Sequence, residues 1–380
     1  MKRLPISQRD DNLLRLLRYA MNVGQPPVAF TADEWQQLFD DARRHALVGV
    51  LCEALKRMPH DARTIPLPLM LRWAGDAESI AQLNTEFNAE AARLTSLLEG
   101  EGHDTVILKG QANALLYPNP LSRQPGDIDI WVSGGKDNVL DTLHRLGMAD
   151  DNADVCFHHV ALERNAKGIE VEVHFQPSSG HNQQACNQHM QDFLNAELAC
   201  CRTMVAEGFR VPTMCFALVM QLAHIRHHLL KEGVGLRQVI DYWMLLRASS
   251  ADDRREVSQH LRQLGLLTMA RALMWVVSQL FAENECLLQV VPSRRKGLWL
   301  LRRMLRTGNF GHHDRQKQDV LWREVARQKL ELLPLLWFEP EFAGTLLAEE
   351  WRYWGCIVRK LPDRIRHRSL SLRDHPESWG

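Results

Sequence analysis

Between Gly126 and Ile130 the chain reads Gly-Asp-Ile-Asp-Ile, an alternation that suits an extended strand with one buried face. Successive strand side chains take opposite faces, so Ile128 and Ile130 enter a core while Asp127 and Asp129 project together on the other side. Two carboxylates on one face are a site for Mg²⁺. A hard cation that keeps much of its water is held by one or two carboxylates together with phosphate oxygens of a substrate, the arrangement that phosphoryl and nucleotidyl transfer require. Such a pair also arises by chance on surface strands, so its meaning rests on what surrounds it.

Upstream of the pair, an apolar run from Ile107 ends in Lys109 and Gly110, and Arg123 stands shortly before it. Downstream, Ile169 to Phe175 alternates apolar and polar with the period of a half-buried strand, which puts Glu170, Glu172 and His174 on one face. Two acidic strands then meet over one metal site. These residues, in this order, resemble the nucleotidyltransferase superfamily of DNA polymerase β. The superfamily pattern is an apolar strand, a Gly-Ser or Gly-Gly turn opening a helix, an Asp-x-Asp or Asp-x-Glu strand, and a third acid on a later strand. Over roughly residues 30 to 250 the chain is similar, more narrowly, to the bacterial family of uncharacterised nucleotidyltransferases, with its Leu-Lys-Gly turn, its Arg before Gly-Asp-Ile-Asp and its Val-Glu-Val-His-Phe-like strand.

The resemblance implies that Asp127 and Asp129 are catalytic metal ligands and that Glu172 is the third acid, because it stands two residues before His174 and Phe175 as the family's acid does. Glu170 is the competing choice. It further implies a nucleotide site in which Gly110 admits backbone amides to a phosphate while Lys109 and Arg123 offset its charge. Gln111 departs from the superfamily, which has a small Ser or Gly there, and the link from Gly110 to Asp127 through Tyr117, Pro118, Asn119 and Pro120 is longer than its usual spacing. The implied cofactor is Mg²⁺ or Mn²⁺, and the implied substrate is an NTP such as ATP, whose nucleoside monophosphate passes to a small-molecule or peptide acceptor. Three rival readings use the same residues: kinase-like phosphoryl transfer, a toxin-like or nucleic-acid-modifying transferase, and a non-catalytic adaptor that keeps the fold. Removal of Asp127 or Asp129 is expected to relieve like-charge repulsion and leave the fold at least as stable.

A second polar constellation is helical. His224, His227, His228 and Lys231 fall on one face at i, i+3, i+4 and i+7. Ile225 follows His224 where the zinc-protease motif has glutamate, which disfavours zinc. The family pattern of a His-rich helix followed by Gly235, Leu236, Arg237 and Asp241 favours a cleft wall in which His228 and Lys231 touch the nucleotide. His158 and His159 are neighbours in an expected strand, so only one of them faces the cleft.

The expected fold class is α+β, a small mixed nucleotidyltransferase sheet flanked by N-terminal and C-terminal helical regions. The expected divisions are a helical region 1–100, the α+β core 101–212, a helical region 213–290 bordering the cleft, and a basic helical region 291–380. Thr31 reads as an N-cap, and Leu69 to Leu98 as a long helix with a buried stripe through Ile80, Leu83, Phe87, Ala91, Leu94 and Leu98. Thr105–Leu108, Asp127–Val132, Val155–Glu163 and Ile169–Phe175 read as strands, Lys136–Leu146 as a helix, and Cys200–Pro212 as an added hairpin.

Among 380 residues, Lys plus Arg equals Asp plus Glu at 46 each, which gives no argument for a nucleic-acid partner. Basic clusters at Arg294–Arg306 and Arg359–Arg368 suit a solvated face first and weak contact with an anionic membrane surface second. Nowhere is there an apolar run of about 18 residues, and no signal-peptide core follows Lys2 and Arg3. The eight cysteines include no Cys-x-x-Cys pair, so the expected compartment is the reducing cytoplasm.

Overall fold

The computed structural model describes residues 4–309, apart from 28, 151–152, 182, 232 and 283–286, together with residues 334–340. The chain divides into two compact units, one of Met1–His181 with Ala185–Gln316 and one of Asn182–Gln184 with Lys317–Gly380. The first holds the sheet together with helices that precede and follow it. Of the second, the described residues include a helical turn at 334–338.

Four helices come first: α1 (Gln8–Ala20), α2 (Ala32–Arg44), α3 (Val48–Arg57) and α4 (Leu67–Gly100). Thr31 caps α2 reciprocally, its hydroxyl accepting from Glu34 N at 3.3 Å while its own N donates to Glu34 Oε2 at 2.9 Å. The 34 residues of α4 make it a spine. At one end the indole of Trp73 donates to Val48 O at 2.9 Å and packs edge-on to Trp35, which ties in α2 and α3. At the other end Phe87, Ala91, Leu94 and Leu98 form the floor of the sheet.

The sheet contains β1 (Thr105–Ile107), β2 (Ile128–Val132), β3 (Asp154–Val155), β4 (His159–Leu162) and β5 (Val171–His174) in the order β1-β2-β5-β4-β3. A single turn of helix, α5 (Gln111–Ala114), follows β1, and α6 (Lys136–Arg145) follows β2. Only the β2–β5 pairing is parallel. Ile128, Ile130, Val132, Val160, Val171 and Val173 all point to α4 and to Val139 and Leu143 of α6. The opposite face is left to the polar residues of the same strands.

The expected strand 155–163 is two strands. The chain turns at 156–158, where Cys156 N donates to His159 O at 2.9 Å, and β3 folds back on β4. Segment 200–212 supplies only a bridge between Met204 and Arg210, but Arg210 O accepts from Ile107 N at 2.9 Å and so covers part of the outer edge of β1.

Helices resume with α7 (Gln184–Leu198), α8 (Met214–Lys231), α9 (Leu236–Ala248), α10 (Ala251–His260), α11 (Leu267–Phe281) and α12 (Arg294–Thr307). On α12 the apolar Leu300, Leu301, Met304 and Leu305 are buried, and Gly297 lets the helix lie against Trp275 of α11. No helix among the described residues is long and apolar enough to cross a membrane. The Arg359–Arg368 cluster lies outside the described residues.

Gly49 shows how tightly α3 is set against the loop that leads to β2. A Cβ there would stand 2.3 Å from Ser122 O and 3.1 Å from Ser122 Cα. In the Gly49→Ala variant the helix gains about 1 kcal/mol of propensity, while overpacking against backbone costs about 1–3 kcal/mol. A lower unfolding midpoint in urea is expected, and a higher one would show that this loop yields freely.

Candidate active site

Parallel pairing of β2 with β5 sets Asp129 directly opposite Glu172, and Ile128 opposite Val171. Asp127 stands one residue before β2 and Lys109 two residues after β1, so four charged groups arrive at one end of adjoining strands. Lys109 Nζ lies 3.0 Å from Asp129 Oδ2 and 3.5 Å from Asp127 Oδ2. His174 Nε2 lies 3.0 Å from Asp129 Oδ1 and 3.3 Å from Glu172 Oε2. The Asp129 side chain is 1% exposed, whereas those of Asp127 and Glu172 are 37% and 26% exposed, so a ligand reaches the outer two directly.

These groups set one another's charge. Burial pushes His174 down, but its bonds to Asp129 and Glu172 outweigh this and hold it up at about 9, so the ring is an imidazolium at neutral pH. Burial likewise works against Lys109, and the surrounding carboxylates keep it charged. For Glu172, burial is overcome by His174 and Lys109, and its carboxyl lies well below the usual range. Asp127 is lowered because Lys109 outweighs its burial. Asp129 goes the other way, raised by burial and by the like charge of Asp127.

Gly110 makes the turn from β1 into α5 at φ +59°, with Asp127 O only 3.3 Å from where a Cβ would be. Gln111 is buried against α4 and donates to Asn88 Oδ1 at 2.6 Å. Glu170, the competing acid, pairs outward with Arg164 at 2.8 Å, while Glu172 joins Asp129.

Arg123 is placed differently from the sequence expectation. Its Nε and Nη2 donate to Asp241 Oδ1 and Oδ2 at 2.8 and 2.9 Å, and Tyr117 Oη donates to Oδ1 at 2.7 Å, all buried. That pair takes the Nε–Nη2 edge of the guanidinium, and Nη1 faces Gln124 O at 3.5 Å. The arginine beside the carboxylates is instead Arg237, one turn before Asp241 on α9. Its Nη1 donates to Gln124 O at 2.7 Å, both Nη atoms lie 3.9 Å from where a Gly126 Cβ would be, and its charge helps lower Asp127. Its buried Nε has no hydrogen-bond partner among the described residues. Burial and Arg123 push Arg237 down to about 10, which leaves it cationic. The signal for it was the Arg237–Asp241 spacing of four, which puts both on one helix face.

Helix α8 borders the same cleft. The charge of Lys109 acts on His224, which burial holds well below its usual range, and that of His227 acts on His158. His228 meets His224 edge-on with ring centroids 4.3 Å apart. The side chain of Lys231 lies outside the described residues. His158 and His159 do not divide between two faces: His158 sits in the bend before β4, its carbonyl accepting from Phe175 N at 3.0 Å, and its Nε2 is 2.9 Å from His159 Nδ1.

A family model described as an uncharacterised nucleotidyltransferase matches residues 31–282, from the cap of α2 to the end of α11. The chain belongs to this uncharacterised nucleotidyltransferase family. A solved structure titled as an antigenic nucleotidyltransferase-like protein from Paracoccidioides brasiliensis is similar at 13% identity and a TM-score of 0.34, over 55% of this chain and 94% of that one. No curated protein matches. The family match takes in all three acids, Lys109, Arg237 and the α8 histidines.

Asp241→Asn strands the Arg123 charge in the interior and is expected to cost about 3–5 kcal/mol. Burial pushes the Asp241 carboxyl up, but Arg123 outweighs it and lowers the pKa. A lowered folded pKa means the contribution is complete above about pH 4, the unfolded value, and is lost as pH falls through the folded one. Denaturation curves of wild type and variant should therefore converge in acid; a constant gap down to low pH would contradict the pairing.

Proposed function

We propose that this nucleotidyltransferase-family protein moves a nucleoside monophosphate from an NTP to a small-molecule or peptide acceptor, with Mg²⁺ or Mn²⁺ as cofactor. The observation that carries the reading is the pairing of Asp129 with Glu172 across β2 and β5, with Asp127 at the mouth. Three carboxylates offer hard oxygen donors, two of them reachable from solvent, and this donor set fits a hard divalent ion. Asp127, Asp129 and Glu172 would hold it, and when bound it supplies charge neutralisation of the triphosphate and a lower pKa for the acceptor hydroxyl.

In the reaction an acceptor oxygen bonds to the α-phosphorus, the bond to the bridging oxygen of pyrophosphate breaks, and the hydroxyl proton leaves to solvent. Glu172, whose carboxyl is held well below the usual range, is too weak a base to take that proton and serves as a ligand. His174 fixes the orientation of both Asp129 and Glu172. Arg237 and Lys109 offset phosphate charge.

Incubation of purified protein with labelled NTPs, Mg²⁺ and a cell extract tests the reading. Pyrophosphate release with a labelled acceptor is expected; ADP release would mark a kinase, and no labelling an adaptor. Asp127→Ala should abolish transfer with less than about 1 kcal/mol of stability lost, since this side chain is partly solvated. Asp129→Ala should also abolish it but cost about 3–5 kcal/mol, because Lys109 and His174 then face each other without their shared anion. This reverses the sequence expectation that loss of either acid relieves strain. Arg237→Gln is expected to raise KM for the NTP about tenfold to a hundredfold, the range of a charge-assisted hydrogen bond of about 1.5–3 kcal/mol, whereas an unchanged KM would remove Arg237 from the phosphate site.

A further inference from the structure

Three imidazoles converge beside Glu172. The rings of His158 and His159 lie 4.3 Å apart, and those of His158 and His174 and of His159 and His174 lie 5.6 and 5.2 Å apart. The fold makes this meeting in two ways. Register sets His159 opposite His174 on antiparallel β4 and β5, and the bend before β4 swings His158 onto the same side.

The donor atoms are spaced as ligands of one ion. One nitrogen from each histidine lies within 4.8 Å of the others. His158 Nε2 is 2.9 Å from His159 Nδ1, and Glu172 Oε2 is 3.6 Å from His159 Nδ1 and 3.3 Å from His174 Nε2. Atoms bound to a tetrahedral Zn²⁺ at 2.0–2.1 Å stand about 3.3 Å from one another. The observed separations bracket that value, so small side-chain adjustments admit an ion.

We propose that His158, His159 and His174, with Glu172 as the fourth ligand, form a transition-metal site of Zn²⁺ type beside the Asp127–Asp129 pair. Three nitrogens and one oxygen select a borderline ion over Mg²⁺, which takes oxygen ligands. An ion there takes the place of the proton that His174 shares between Asp129 and Glu172, and makes Glu172 the carboxylate common to both metal positions. The α8 histidines are the rival site, but among the described residues they form no group of three donors this close. The zinc site stands on the histidines alone; its consequence, a second ion held at the acceptor side of the cleft whether or not nucleotide is present, rests on the transferase reading.

Full-length protein stripped with chelator and then titrated with Zn²⁺ alone is expected to bind one ion per chain, and Co²⁺ should give the intense visible absorption of a tetrahedral site. His158→Ala and His159→Gln should each weaken zinc at least about tenfold to a hundredfold, the loss seen for lesser, outer-shell changes. Asp127→Ala should keep it. Zinc bound without NMP transfer would leave the site standing and sink the transferase reading, and the two therefore fail separately. Failure of wild type to bind Zn²⁺ or Co²⁺, affinity unchanged in the His158→Ala/His159→Gln double variant with a native-like thermal transition, or zinc lost instead in His224→Ala would each overturn the proposal.

Discussion

Three carboxylates against one face of a sheet repel one another and resist losing water, and the surroundings of Asp127, Asp129 and Glu172 are organised by that cost. Lys109 lies between the two aspartates, His174 between Asp129 and Glu172, and Arg237 alongside the approach to Asp127. None of the three cations comes from the strand that carries the aspartates. Lys109 follows β1, His174 ends β5, and Arg237 belongs to α9, so the charge balance at the site also fastens a helix to the sheet. A single acid-to-alanine change consequently acts on several elements at once.

The approach to Asp127 is fixed by a second set of buried polar contacts. Asn84 on α4 donates to Leu121 O at 2.9 Å and to Arg123 O at 2.7 Å, and Arg237 donates to Gln124 O at 2.7 Å. Arg123, Tyr117 and Asp241 close the network from the other side, and Gln111 donates to Asn88, one turn along α4 from Asn84. The long link between Gly110 and Asp127 therefore bridges the spine helix and α9, and its length serves that span. Gln111, where the superfamily has a small residue, acts in the same network through α4.

Much of this was legible from alternation alone. Ile128, Ile130, Val171 and Val173 announced two strands with one buried face, and the same period put Asp127, Asp129, Glu172 and His174 on the other. Alternation could not choose between Glu170 and Glu172, because both satisfy it; the choice falls to where pairing places Glu172, opposite Asp129, with Glu170 one residue outside β5. It also misled at His158, since the two-residue period holds only inside a strand and this residue sits in a bend. Arg123 and Arg237 could not be told apart by type. The difference is a partner 118 residues away in the chain, a contact that local pattern does not encode.

Those contacts leave the cleft with two chemically distinct sides. Lys109 and Arg237 keep fixed positive charge on one, whereas on the other burial holds His158 at about 3, so that ring is neutral at physiological pH. Fixed positive charge attracts anions, and a neutral imidazole attracts them little. Neutral imidazoles accept protons and hold borderline metals, which gives this side a different chemistry. Glu172 stands between the two, paired with Asp129 across the strands and with His159 and His174 beside it, so the polarity of the cleft is set by which strand each residue follows.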